Sequence, residues 1–257
     1  MKQVLQMRKN HEQTDQLRDL TIKAIFFDLD HTLIDCESAD LKTYEIVSQI
    51  ARSTAVTIHT PALIHEFRKL LGDIPFDPEG IIDVHTWRTG LWQKALAIQG
   101  INHPDLPKQL NTVFHNERLA FYLFAPNVYV MIKDLLQSYT GIIITNGDAT
   151  IQRPKLAACN AESLFGSNVI VGGEEPDEKP HPTIFYKACE MANCVPDEAM
   201  MVGDRLKTDI SGGILAGLGA TVWVNPKNLP VYDNDPIPDF QVLSVLELPS
   251  ILEHLRK

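Results

Sequence analysis

The apolar positions of this chain fall into two regimes. From about residue 38 to 124 they recur at helical spacing: Leu41, Tyr44, Ile46, Val47 and Ile50 trace one stripe, and Leu63, Ile64, Phe67, Leu70 and Leu71 a second. Further helical runs extend over about 81–98 and 106–122, with no strand-like alternation between them. From Pro126 onward short apolar runs alternate with helical patterns, the rhythm of a parallel sheet covered on both faces. Strands are predicted near 141–145, 169–171, 199–202, 220–224 and 240–243, and helices near 127–139, 154–158, 182–191 and 209–216. Gly217 offers a helix stop, and 226–238, rich in proline and asparagine, reads as a surface loop. One more apolar run, 22–27, precedes the helical block and must join the later sheet. The prediction is an α/β fold: a doubly wound, mostly parallel sheet with a Rossmann-like core, interrupted by an inserted helical-bundle cap that serves as a lid. The expected domains are a tail over 1–21, a core made of 22–37 and 125–257, and a cap over 38–124.

Composition narrows the function classes. The chain has 257 residues, 44% hydrophobic and 22% charged, an ordinary globular balance. Its formal charge of -10 argues against salt-driven nucleic-acid binding, which needs a basic face, so an anionic substrate must be held by local positive groups. No run approaches the ~20 apolar residues of a membrane span, so no membrane partner is expected. Cys36, Cys159, Cys189 and Cys194 form no CxxC pair and read as reduced thiols. Residues 1–21 are polar, lack the apolar centre of a secretory signal, and carry Glu12, Asp15 and Asp19, which a transit peptide avoids; the cytoplasm is the expected setting. A monomer and a small homo-oligomer both fit.

The candidate chemistry sits where the predicted strands end, since open parallel sheets bind ligands beyond their carboxyl edges. The run 22–27 ends in Asp28-Leu-Asp30-His-Thr32. Two carboxylates so close repel unless a cation neutralises them or one keeps a proton, and Mg²⁺ suits hard oxygen ligands beside a phosphate. The run Ile142-Ile-Ile144 ends in Thr145-Asn146-Gly147-Asp148, a turn with donors for phosphate. Met200-Met-Val202 ends in Gly203-Asp204, followed by Asp209, which bring a cation ligand and an orienting carboxylate. Lys179, in Glu178-Lys179-Pro180, is the fixed cation such an acidic site requires. Each feature has a plainer reading too: a polar turn for Asp28 and Asp30, helix caps for the Thr145 turn and for Asp209, a solvated side chain for Lys179.

Taken in order, DxDxT, the apolar strand ending in Thr145, Lys179-Pro180 and GDxxxxD resemble the four motifs of the haloacid dehalogenase superfamily, over nearly all of 22–255. A finer similarity, to the N-acylneuraminate-9-phosphatases, lies in Thr145-Asn-Gly-Asp148, Val171-Gly-Gly-Glu174, Glu178-Lys-Pro180 with Ile184-Phe-Tyr186, Met201-Val-Gly-Asp204, Ala220-Thr-Val-Trp223 and Ser244-Val-Leu-Glu-Leu-Pro249. The chain departs from that pattern at Arg205, around 84–87, and in its tail before Ile22.

The resemblance implies a Mg²⁺-dependent phosphomonoester hydrolase acting through an aspartyl-phosphate on a small phosphorylated sugar, N-acylneuraminate 9-phosphate, to release free sialic acid. It implies Asp28 as nucleophile and Asp30 as general acid/base, the second aspartate being a mark of the phosphate-transferring members. Mg²⁺ would be held by Asp28, the Asp30 backbone carbonyl and Asp204, with Asp209 behind them. The Leu29 N–H, Thr145, Asn146 and Lys179 would hold the phosphate. Arg88, in Trp87-Arg88-Thr89-Gly90, would pair with the sugar carboxylate. Alternatives remain: a phosphatase or phosphomutase for another sugar or a nucleoside monophosphate, a phospho-acceptor signalling domain, or an inactive binding relative.

Overall fold

The computed structural model describes residues 5–6, 21–76 and 81–255, so most of the 1–21 tail lies outside the described residues. The chain divides into two compact units, one made of Met1–Asp35 with Leu123–Lys257, the other of Cys36–Tyr122.

The first unit is built on a seven-stranded sheet of β1 (Leu5–Gln6), β2 (Ala24–Phe27), β3 (Thr140–Thr145), β4 (Val169–Val171), β5 (Ala199–Gly203), β6 (Ala220–Val224) and β7 (Phe240–Val242), in the order β1-β7-β6-β5-β2-β3-β4. All pairings are parallel except β1 with β7. The edge strand from the tail was not foreseen; two residues are too short a run for alternation to show. Every residue of β2, β5 and β6 is buried, as expected of strands covered on both faces, and this is why they read as unbroken apolar runs. The chain leaves β2 toward β3 and β4 on one side and returns to β5 on the other. β2 therefore sits at the switch point of the winding, where a crevice opens beyond the carboxyl ends.

Register makes those ends level: Phe27 pairs with Ile143 and with Val202. The residues next in line on the three strands come to one place. Ile184, Phe185, Ala188 and Cys189 pack with Phe26, Ile142, Ile144 and Met201 in one apolar cluster, which anchors the helix Pro182–Ala192 to the sheet.

The second unit contains α1 (Cys36–Thr54), α2 (Thr60–Asp73), α3 (Val84–Ile98) and α4 (Leu106–Leu119). Their stripes close on Tyr44, Val47, Leu63, Phe67, Leu91, Trp92, Leu110 and Phe114, with the rings of Phe67 and Trp92 stacked. Asp83 fixes the start of α3 by accepting the N–H groups of His85 and Thr86.

Beyond these come α5 (Pro126–Leu135), α6 (Ala149–Ala158), α7 (Glu162–Phe165), α8 (Pro182–Ala192), α9 (Ser211–Leu215) and α10 (Leu248–Leu255). Several boundaries differ from the sequence expectation by a few residues, and two of the differences bear on the site. The helix predicted at 154–158 starts at Ala149, because Asp148 caps it through the Thr150 N–H, and Pro154 lies inside it. The helix predicted at 209–216 is a π-helical turn, Leu206–Ile210, leading into α9. Among the described residues, no helix is long and apolar enough to cross a membrane.

Candidate active site

The centre forms where β2 leaves the sheet. Asp28 is still in the ladder, its N–H donating to the Val202 carbonyl at 2.9 Å. The chain then turns sharply: the Leu29 carbonyl accepts the N–H groups of Leu33 and Ile34, and His31 takes a left-handed conformation at φ 62°. This turn presents Asp28 and Asp30 in different directions, toward different cations.

Lys179 faces Asp28. Its Nζ donates to Asp28 Oδ1 at 2.7 Å, to Asp209 Oδ1 at 2.7 Å and to the Ile144 carbonyl at 2.6 Å, using all three ammonium hydrogens. Its backbone is held as well: Asn146 Nδ2 donates to the Lys179 carbonyl at 2.7 Å, and the Lys179 N–H donates to Asn146 Oδ1 at 3.0 Å. Asn146 thus spends its side-chain carbonyl and one amide hydrogen on placing the lysine. Burial alone would depress the Lys179 ammonium, but Asp209 and Asp28 outweigh it and hold its pKa above the ordinary lysine value.

Asp204 follows β5, its carbonyl accepting the Trp223 indole N–H at 2.8 Å. The π-helical turn folds Asp209 back over Gly203, where its Oδ2 accepts the Arg205 N–H at 2.9 Å. Ligand oxygens of Asp28, Asp204 and Asp209 all lie within 4.8 Å of one another. Burial pushes Asp28 up to about 7; Lys179 opposes this, while Asp209 and Asp30 add to it. Burial and Asp209 push Asp204 up to about 6.

These residues fit a metal ion. Asp204 Oδ1 is buried with no hydrogen-bond partner, an acceptor that a cation would satisfy. Three carboxylates against one ammonium leave two negative charges, which one divalent cation balances. The donors are all oxygens, as hard cations require.

Asp30 belongs to a second group. Its Oδ2 accepts from Lys155 Nζ at 2.6 Å and from Gln152 Nε2 at 3.1 Å. Gln152 Nε2 also lies 2.7 Å from Thr145 Oγ1 and 2.7 Å from the Asn146 carbonyl. Sequence reasoning missed Gln152 and Lys155. The signal was their i, i+3 spacing, visible only once the helix begins at Ala149, capped by Asp148.

Arg88 lies on α3 in the helical unit. Its Nε and Nη1 are buried without a hydrogen-bond partner. Burial, with the charge of Arg118 nearby, brings its pKa down to about 10. Arg118 is better provided for, with Asp40 Oδ1 at 2.7 Å and the ring of Phe114 beneath it.

The buried lysine and three carboxylates stand at the switch point of a doubly wound sheet, the place where open α/β folds bind their ligands. Residues 22–217 match the family model for haloacid dehalogenase-like hydrolases, and the chain belongs to that family. Within it the chain is a phosphatase. It is 34% identical to the N-acylneuraminate-9-phosphatase of Mus musculus, covering 91% of this chain and 95% of that protein, and 34% identical to the same enzyme of Homo sapiens with the same coverage. Among solved structures, the magnesium-bound HAD-hydrolase YfnB from Bacillus subtilis shares the fold, at 20% identity and a TM-score of 0.68 over 90% of this chain and 98% of that one.

Proposed function

We propose that this phosphatase is a Mg²⁺-dependent enzyme that removes the phosphate from N-acylneuraminate 9-phosphate by way of an aspartyl-phosphate. The observation that carries the mechanism is the Lys179 ammonium shared between Asp28 and Asp209, with the unpartnered Asp204 Oδ1 in the same cluster. The relatives named above support the substrate.

In the first half-reaction an Asp28 carboxylate oxygen attacks phosphorus in line, and the bond from phosphorus to the sugar oxygen breaks. Asp30 gives its proton to that leaving oxygen. In the second half Asp30 takes a proton from water, the water oxygen attacks phosphorus, and the bond to Asp28 breaks. Lys179, its three ammonium hydrogens already taken, keeps Asp28 charged and ready and screens the phosphoryl charge from behind it, while Thr145 and the N–H groups of Leu29 and Asn146 hold the phosphoryl oxygens. Asp28, Asp204 and the Asp30 carbonyl would hold Mg²⁺, with Asp209 behind them; bound there, it supplies neutralisation of the phosphoryl charge. Arg88, a buried guanidinium with unpartnered nitrogens, pairs with the substrate carboxylate. A cytoplasmic setting belongs to the same proposal, on the sequence reading of four cysteines without a CxxC pair as reduced thiols.

The test is Mg²⁺-dependent phosphate release from purified protein across N-acetylneuraminate 9-phosphate, other sugar phosphates and nucleotides, with Asp28→Asn as the blank. Strong preference for the sialic acid phosphate is expected. Activity centred on another phosphate discards the substrate and keeps the mechanism; release that persists in Asp28→Asn discards the mechanism.

A further inference from the structure

Lys155 and Gln152 stand at this site without a task in the reaction above. They lie three residues apart on α6 and so share a helix face. Both are buried, and both reach Oδ2 of Asp30, at 2.6 Å and 3.1 Å. A buried ammonium is costly to place unless a carboxylate answers it, and Asp30 answers this one at 2.6 Å. Gln152 has two amide hydrogens for three acceptors: Asp30 Oδ2, Thr145 Oγ1 and the Asn146 carbonyl. The bond to Asp30 is the longest of the three, so the amide stays satisfied if Asp30 moves. By donating to Thr145 Oγ1 it leaves the threonine hydroxyl hydrogen to serve as a donor.

We propose that Lys155 is the positioning residue of the acid/base step: it holds the Asp30 carboxylate by one oxygen, and Gln152 ties that same oxygen to the Thr145 turn. The inference rests on Asp30 acting as the acid/base group. The step it serves moves one proton from Asp30 to the sugar oxygen as the phosphorus–oxygen bond breaks, and one from water back to Asp30 as the aspartyl-phosphate is cleaved. A sugar alkoxide needs that proton in order to leave, whereas a nitrophenolate departs without it. A misplaced Asp30 therefore slows sugar phosphates far more than aryl phosphates.

The experiment compares kcat on the preferred sugar phosphate and on p-nitrophenyl phosphate for the wild type, Lys155→Met, Lys155→Arg, Asp30→Asn and Asp28→Asn. General acid–base catalysis contributes roughly 10²–10⁴-fold, so Lys155→Met is expected to lose about ten-fold or more on the sugar phosphate beyond its loss on the aryl phosphate. Lys155→Arg, which keeps the charge, regains most of the difference. Should the methionine variant not fold, Lys155→Gln keeps a donor without the charge and must show the same split. Equal losses on both substrates, or none, overturn the inference while an inactive Asp28→Asn leaves the aspartyl-phosphate reading standing. An active Asp28→Asn, or an Asp30→Asn that shows no split, overturns the underlying reading and the inference with it.

Discussion

Lys179 and Asp28, 151 positions apart in sequence, meet at 2.7 Å between Nζ and Oδ1. The contact exists only when β2, β3 and β5 are in register, because the same ammonium also holds the Ile144 carbonyl at the end of β3 and Asp209 beyond β5. This lysine–carboxylate centre and the folded sheet are therefore one energetic unit.

Removing that ammonium is expected to cost stability as well as activity. Lys179→Met leaves Asp28 and Asp209 buried without their cation, and breaking a buried pair in this way costs about 3–5 kcal/mol. Urea unfolding near neutral pH reads the loss. The loss shrinks at lower pH, where protonation removes the orphaned charge; a variant as stable as the wild type at neutral pH speaks against the network as described.

The parts of this centre differ in how plainly the sequence announced them. Asp28, Thr145 and Asp204 were legible because each follows a short apolar run, and strand ends of a parallel sheet share one edge whatever the loops between them do. Lys179 was legible because an acidic cluster demands a fixed cation and the prolines of Lys179-Pro180-His181-Pro182 stiffen the approach to a helix between the strand ends. Gln152 and Lys155 were hidden by Pro154, which looks like a helix start, while the cap is Asp148. The edge strand Leu5–Gln6 was hidden because its partner, β7, is supplied by the far end of the chain, and two residues show no period. What periodicity, strand ends and residue type encode was readable; which side chains of α6 gather on Asp30 depends on where that helix starts, and was not.

The carboxylates make metal binding depend on pH with a definite sign. Asp28 is raised to about 7 and Asp204 to about 6, both chiefly by burial, above the 3.8 of an unperturbed aspartate. In the metal-free protein the folded state holds protons that the unfolded state has released, so these two groups lose stability as pH rises from about 4 through 7. A divalent cation takes the ionised forms and must displace those protons. The rise in Tm on adding Mg²⁺ is expected to grow from pH 5 to pH 8, and calorimetric titration in two buffers of different ionisation heat is expected to show proton release. A Tm shift that ignores pH, with no proton release, counts against this cluster as the metal site.

Gly203 is needed as a surface rather than as a hinge. The Asp209 side chain lies so close over it that a methyl group at this position would overlap the carboxylate. Gly203→Ala must push Asp209 away, loosening its bonds to the Arg205 N–H and to Lys179. Overpacking of this kind costs about 1–3 kcal/mol. Turnover is expected to fall even at temperatures where the variant is fully folded, because Lys179 then loses one of its anchors; full turnover with unchanged Mg²⁺ affinity would show that the Asp209 contact is dispensable.

Arg88 offers a case in which stability and function pull apart. Its Nε and Nη1 are buried without partners and Arg118 adds repulsion, so the guanidinium is held at a cost that the fold itself does not recover. A residue kept only for structure would destabilise the protein when removed. Arg88→Ala is expected instead to leave the unfolding midpoint unchanged or to raise it. If the guanidinium receives the substrate carboxylate, a charged hydrogen bond worth about 1.5–3 kcal/mol disappears with it, and KM for the carboxylate-bearing sugar phosphate rises roughly ten- to hundred-fold. Sugar phosphates that lack a carboxylate have nothing to lose, and their KM is expected to stay within about two-fold, since neither their binding nor the Asp28 centre changes. A drop in stability with equal effects on all substrates would make Arg88 a packing residue of the helical unit and move the search for the carboxylate receptor elsewhere.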